Sequence, residues 1–215
     1  MGKLIKKEFG LAMHPTVAIM IVLSCIVVIP NYPYAIAFFY MTLAIYFTCL
    51  NGRENNDIVY TLMLPIAKRD VVKARFSMCI ILEMIQLAVL IPLSIVSVML
   101  NPDGNAAGMD ANPALFGLGL IMYGVFNLIF FTMYYKKVTK PGVPFFIAAI
   151  LMFVIMFAEI FISILVPFYS TVIDTPGMSN LPYKLVYLVV GVVIYVVLTL
   201  IAYKISVKRF LEQDL

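Results

Sequence analysis

The sequence predicts an all-α integral membrane protein, and three observations carry that reading. Hydrophobic residues make up 64% of the 215 and charged residues only 12%. The apolar residues gather into six stretches parted by short polar breaks. All 15 Lys and Arg residues except Lys184 fall on one side if every stretch spans. The bilayer is then the solvent for nearly the whole chain, and backbone polar groups must be satisfied inside helices. Charge sorted in this way orients the chain by the positive-inside rule, with both termini in the cytoplasm.

The arm 1–15 is expected to form an amphipathic interfacial helix. Ile5, Phe9, Ala12 and Met13 share one face, while Lys3, Lys7 and His14 occupy another. A span needs about 20 apolar residues, so Thr16 to Leu50 is too long for one helix. Its middle reads Pro30-Asn31-Tyr32-Pro33, a turn signal that disfavours helix on both sides. Two short spans, 16–30 and 34–50, follow as a hairpin. A signal peptide is the competing reading of the first half, since Lys3, Lys6 and Lys7 precede an apolar run and Ala35-Ile36-Ala37 resembles a cleavage site. Continuation of apolar sequence past that site disfavours it.

Four further spans are expected at 76–100, 114–135, 142–168 and 185–203. The intervening basic segments are the loop 51–75, with Arg53, Lys68, Arg69, Lys73 and Arg75, then Lys136, Lys137 and Lys140, then the cytoplasmic tail 204–215. Asp103, Asp110 and Asp174 sit in the opposite loops. The net charge of +4 therefore reflects topology and contact with anionic lipid, and nothing suggests nucleic acid. Tyr134, Tyr135, Tyr169, Tyr183 and Tyr203 lie near span ends and are expected as interfacial anchors.

The missing residues exclude several chemistries. His14 is the single histidine, so serine–histidine dyads, two-histidine zinc sites and histidine phosphatases lack their imidazoles. Cys25, Cys49 and Cys79 lie within or at the edge of spans and form no disulfide framework or metal site. No GxxxxGK[ST] loop occurs, so no nucleotide is cradled by that device. The chain is expected to be no enzyme and to hold no cofactor.

Two carboxylates, Glu83 and Glu159, lie inside spans, where a charge costs several kcal/mol and marks a functional candidate. Glu83 falls about two turns beyond Arg75 and is expected to pair with a basic loop residue or to serve transport. Glu159 falls in the outer half, lining an aqueous cavity or capping broken backbone. Gly117, Gly119, Gly124 and Gly191 permit close helix contact, although none forms a GxxxG pair.

Residues 51–75 are the one long loop on the basic side, mixed in charge where topology alone would ask only for basic residues. Arg53, Glu54, Asn55, Asn56 and Asp57 form a polar cluster, and an apolar run follows from Ile58 to Leu64. Pro65 suits the first turn of a new helix, which carries Lys68, Arg69, Asp70, Lys73 and Arg75. Asp70 and Lys73 are spaced as a favourable i,i+3 pair. A short segment bearing both charge signs is suited to docking another protein.

In its order of elements, namely basic arm MGKLIKKEF, hairpin, NGRENND loop, LPIAKRDVVKAR segment and four more spans, the chain resembles the type-2 export permeases of ATP-binding cassette transporters. The small six-span permeases of Gram-positive bacteria are most similar, especially those expelling amphipathic peptides such as phenol-soluble modulins. The resemblance implies a plasma-membrane permease that pairs with a second copy or a sister permease. It also implies a separate cytosolic ATPase holding ATP and Mg. A coupling helix would lie around Asn51 to Asp57, supported by Leu64 to Lys73. Arg53, Glu54, Asn55, Asp57, Arg69 and Asp70 would meet the ATPase, with Glu54 the leading contact. Two readings of other classes stand beside it: a noncatalytic sensor or assembly protein using the same loop, and an ion-coupled carrier using Glu83 or Glu159.

Overall fold

The computed structural model describes residues 1–213, and within them every regular element is helical. The last two residues of the expected tail lie outside the described residues. Helix α1, Gly2–Lys7, widens into a π turn at Glu8–Ala12 and ends where Met13 turns extended. Beyond Pro15, α2 (Thr16–Val22) tightens into a 3-10 segment, Leu23–Val28, and this helix stands at 86° to the preceding Gly2–Ala12 arm. Asn31 adopts a left-handed conformation (φ 55°) between the prolines of the turn, and α3, Ile36–Glu54, runs back. A second left-handed residue, Asn56 (φ 51°), separates α3 from α4, Asp57–Leu62. Asparagine tolerates that region better than other residues with a side chain.

Four long helices follow: α5 (Lys68–Leu100), α6 (Pro113–Tyr134), α7 (Gly142–Leu165) and α8 (Leu181–Leu211). These four are long and apolar enough to cross a membrane, and the bent pair of α1 and α2 adds a fifth only if it counts as one span. The hairpin arms are shorter. The α2 arm has 7 residues of α-helix and 6 of 3-10, about 20–25 Å against a hydrocarbon thickness of about 30 Å. The 19 residues of α3 end in polar Asn51, Gly52, Arg53 and Glu54. The chain is a multi-pass membrane protein.

Helix α6 is the axis of the bundle, packed against α8, α7 and α3. Its start is set by Asn112, whose Oδ1 accepts from the amides of Ala114 (2.8 Å) and Leu115 (3.2 Å), followed by Pro113 in the first turn. Two glycines let α6 and α8 approach: a Cβ at Gly117 would lie 2.9 Å from the Tyr187 carbonyl oxygen, and one on Gly191 would strike the Gly117 backbone. Close backbone approach is what small residues supply between membrane helices. No in-chain GxxxG spacing reveals it, because the partners sit on different helices.

Tyr134 and Tyr135 depart from the expected interfacial position. Both are buried, stacked among Phe130, Phe131, Phe76 and Phe210 at the foot of α6. Tyr183 is exposed, against the Phe168 ring.

Candidate functional site

The basic end of the bundle is organised by one buried cation. Arg75 is 2% exposed on the second turn of α5, where α5 meets the π turn and α4. Its Nε faces the Glu8 carboxylate, and its Nη2 donates to Asp57 Oδ2 at 2.5 Å. Lys7 joins from the arm, pairing with Glu8 at 3.1 Å and with Asp57, and donating to Thr61 Oγ at 2.9 Å. Two cations and two carboxylates thus neutralise one another and tie three segments together: the arm, the loop helix α4 and α5. A buried charge is tolerable only with such partners.

Local sequence explains the arrangement. In the π turn Glu8 and Ala12 both face inward, and Glu8 is 1% exposed although flanked by lysine and phenylalanine. The left-handed Asn56 redirects the chain so that Asp57 opens α4 facing Arg75, and Thr61 donates one turn later to the Asp57 carbonyl at 2.7 Å. Lys7, expected on the arm's polar face, instead points into this cluster.

Outward of the cluster lies an exposed tip. Arg53 and Glu54 pair with each other in solvent, and Asn55 donates to Asn51 at 3.1 Å. Val59 and Tyr60 on α4, with Met63 and Leu64 just beyond its end, are exposed beside them. Between α1 and α4 opens a cleft of about 760 Å3, with Lys3, Leu4 and Leu11 on one wall and Tyr60, Leu64 and Asp70 on the other. Arg69 extends to the Tyr203 hydroxyl at 3.5 Å. Asp70 is exposed and, among the described residues, forms no ion pair with Lys73 or any other cation. Of the six loop residues expected at the docking surface, Asp57 is therefore committed to the buried cluster; the other five are exposed.

Glu83 departs from pairing with a basic loop residue. It is fully buried, accepting from the Tyr195 hydroxyl at 2.6 Å and from Asn127 Nδ2 at 3.3 Å. It belongs to a polar seam along α5, in which Arg75, Cys79, Glu83, Gln86, Ser94 and Ser97 all face inward. Gln86 donates to Ser24 at 3.0 Å and to the Ala37 carbonyl at 2.8 Å, and accepts from Tyr123. Ser97 donates to the Tyr34 hydroxyl at 3.2 Å.

Glu159 is buried (4% exposed) at the acidic end, where α7 faces Gly108 and Met109 of the loop before α6. Asp174 accepts there from the Asp110 amide (2.8 Å) and from Ser163 (2.5 Å). Asp110 accepts from the Asn105 amide at 2.6 Å, and burial, with Asp174 adding to it, pushes its carboxyl up to about 6. Lys184, the exception to charge sorting, is 0% exposed, its amine donating to the carbonyls of Thr175 (2.7 Å) and Gly177 (3.0 Å).

Sequence reasoning missed Glu8, Lys7 and Arg75 as a unit, since Glu8 and Arg75 are far apart in the chain. The α5 seam was detectable: its members are spaced by three, four or eight residues, which places them on one helical face. Among the described residues no cluster of His, Cys, Asp and Glu is arranged to hold a metal.

A family model described as ABC-2 family transporter protein matches residues 3–210. No curated protein and no solved structure gives a significant match.

Proposed function

The chain belongs to the ABC-2 family of transporter proteins, and from that membership we propose that it is the membrane permease subunit of an ATP-driven exporter. ATP and Mg are held by a separate cytosolic cassette ATPase, which docks on the exposed tip at Arg53, Glu54 and Asn55, with Arg69 and Asp70 at its margin. Six segments cross the membrane, the α2 arm and α3 forming the thin first hairpin, and both termini lie in the cytoplasm of a plasma membrane. The 86° break after the π turn supports an arm lying in the plane of the inner leaflet while α2 enters the bilayer. Two permeases, identical or sister subunits, face one another across the transport path.

The observation that carries the reading furthest is the four-charge cluster of Lys7, Glu8, Asp57 and Arg75. A load applied at the tip by a closing ATPase reaches α4, passes through Asp57 to Arg75, and so moves α5 and the arm together. Chemical energy enters the spans by that route, by alternating access or lateral extrusion. Amphipathic peptide is the cargo we favour. The cleft between arm and α4 offers apolar walls with lysines at the level where a membrane-adsorbed peptide resides.

Co-expression with candidate cassette ATPases, co-purification and ATP hydrolysis test the proposal. Stable association that Glu54→Lys abolishes, with cargo transport in vesicles, supports it. Association without vectorial transport would indicate a sensor or assembly protein. Transport that needs no cassette and follows an imposed ion gradient would indicate a carrier.

A further inference from the structure

We propose that Glu83, Asn127, Tyr195 and Thr199 form a proton-binding site in the membrane interior, occupied while α5 packs on α6 and α8 and emptied when these helices part. Glu83 is 0% exposed, and among the described residues it makes no ion pair. Arg75, the nearest cation along α5, is engaged two turns away with Glu8 and Asp57. The titratable groups that face Glu83 are Cys79 on α5, Tyr123 on α6 and Tyr195 on α8, none of them a cation.

Both donors available to the carboxyl converge on one oxygen. Tyr195 O–H and Asn127 N–H donate to Oε2, and Asn127 also donates to Thr199 Oγ1 at 3.2 Å. Among the described residues Oε1 has no hydrogen-bond partner, nor does the Asn127 carbonyl oxygen. A carboxylate in hydrocarbon takes a cation or a proton, because bare charge there costs several kcal/mol. With no cation in contact, the proton is the neutralising group. It sits on Oε1, leaving Oε2 as the carbonyl oxygen that its two donors address.

The consequence concerns motion. Tyr195 and Thr199 are on α8 and Asn127 is on α6, so the site is intact only while three helices are in contact. When they part, water reaches Oε1, the proton passes to that water, and the hydrated carboxylate disfavours reclosure. Helix parting and proton release are thus linked, and higher pH favours the parted state. This inference stands apart from the cassette partner and from the nature of the cargo.

Infrared spectroscopy of the full chain in lipid nanodiscs at pH 7 tests it. Wild type minus Glu83→Gln should show the carbonyl stretch of a protonated carboxylic acid, absent from wild type minus Glu159→Gln at the same frequency. Tyr195→Phe, which removes one donor from Oε2, should move that stretch to higher frequency; this variant also serves if Glu83→Gln does not fold. Thermal stability of wild type should fall relative to Glu83→Gln as pH is raised. Loss of carboxylate stretches alone in the Glu83→Gln difference, an unmoved band in Tyr195→Phe, or parallel pH profiles would each overturn the proposal.

Discussion

Arg75 and Lys184 are both buried cations, at opposite ends of the bundle, and they are neutralised in opposite ways. Arg75 meets two carboxylates, with Lys7 completing a balanced set of four charges. Among the described residues Lys184 meets only oxygen dipoles, the carbonyls of Thr175 and Gly177 and the Ser179 hydroxyl, while Asp110 and Asp174 nearby accept from backbone amides. A full ion pair is strong but fails abruptly when one member is removed. Dipole caging costs less to break and leaves the Asp110 carboxyl free to titrate. The basic end is therefore built as a rigid linkage, and the acidic end as a local, pH-responsive closure of loops.

The largest effect that tests this contrast is at Arg75. Arg75→Met leaves two carboxylates, Glu8 and Asp57, to share Lys7 as their one cation, at a cost of about 3–5 kcal/mol, read as a large drop in thermal unfolding temperature in micelles. Adding Glu8→Gln and Asp57→Asn to the same chain should recover most of that loss, since the one charge then left in the cluster, Lys7, has a side chain that is 20% exposed and reaches solvent. If the triple variant is as unstable as the single one, packing rather than charge holds this end.

Lys184→Met should cost less, about 2 kcal/mol, because hydrogen bonds from a charged donor are lost but no opposite charge is buried alone. The damage should be local. Hydrogen exchange should accelerate in residues 171–184 and the preceding loop, while the four long helices keep their protection. Global unfolding instead would place Lys184 in the same class as Arg75 and erase the distinction between the ends.

Asp110 gives the pH test, with an effect on the order of 1 kcal/mol. Its carboxyl, raised by burial to about 6, binds a proton more readily in the folded loop than in an open one. Between about pH 4 and 6 the folded form holds more protons, so closure of the outer loops weakens as pH rises through that window. The groups facing it are Asp174, which repels its ionised form, and Lys184, which favours it. Asp110→Asn keeps an acceptor for the Asn105 amide and should flatten the dependence, measured by hydrogen exchange of residues 103–112 between pH 4 and 7.

What could be read beforehand follows from the range of each signal. Helical character and membrane residence are written in local composition, and the hairpin turn in Pro30, Asn31 and Pro33, whose backbone preferences act within a residue or two. The charge cluster could not be read that way. Glu8 looked like one more polar residue of a basic arm, and only the π turn brings it under Arg75. The Gly117–Gly191 approach likewise joins separate helices, so its meaning depends on how α6 and α8 are set side by side. Lys184 looked like a loop charge, because an isolated lysine at a span boundary carries no mark of the carbonyls that later surround it. Glu83 is legible as a carboxylate inside a span, but its partners come from α6 and α8, and its inward direction lies in the α5 periodicity.

The smallest effect on stability belongs to Glu54, and that is where its value lies. Its pair with Arg53 is exposed, with side-chain accessibilities of 39% for Arg53 and 63% for Glu54, and an exposed pair contributes about 0–1 kcal/mol. Glu54→Lys should leave the unfolding temperature within error of wild type, whereas Arg75→Met should not. Both should abolish stimulation of a docked ATPase if the tip receives the load and the cluster passes it on. They should differ in binding: Glu54→Lys loses the partner itself, while a folded Arg75→Met chain carrying the compensating Glu8→Gln and Asp57→Asn changes retains the partner yet stays uncoupled. A triple variant that restores both stability and coupling would show that the four charges hold the basic end together without transmitting anything through it.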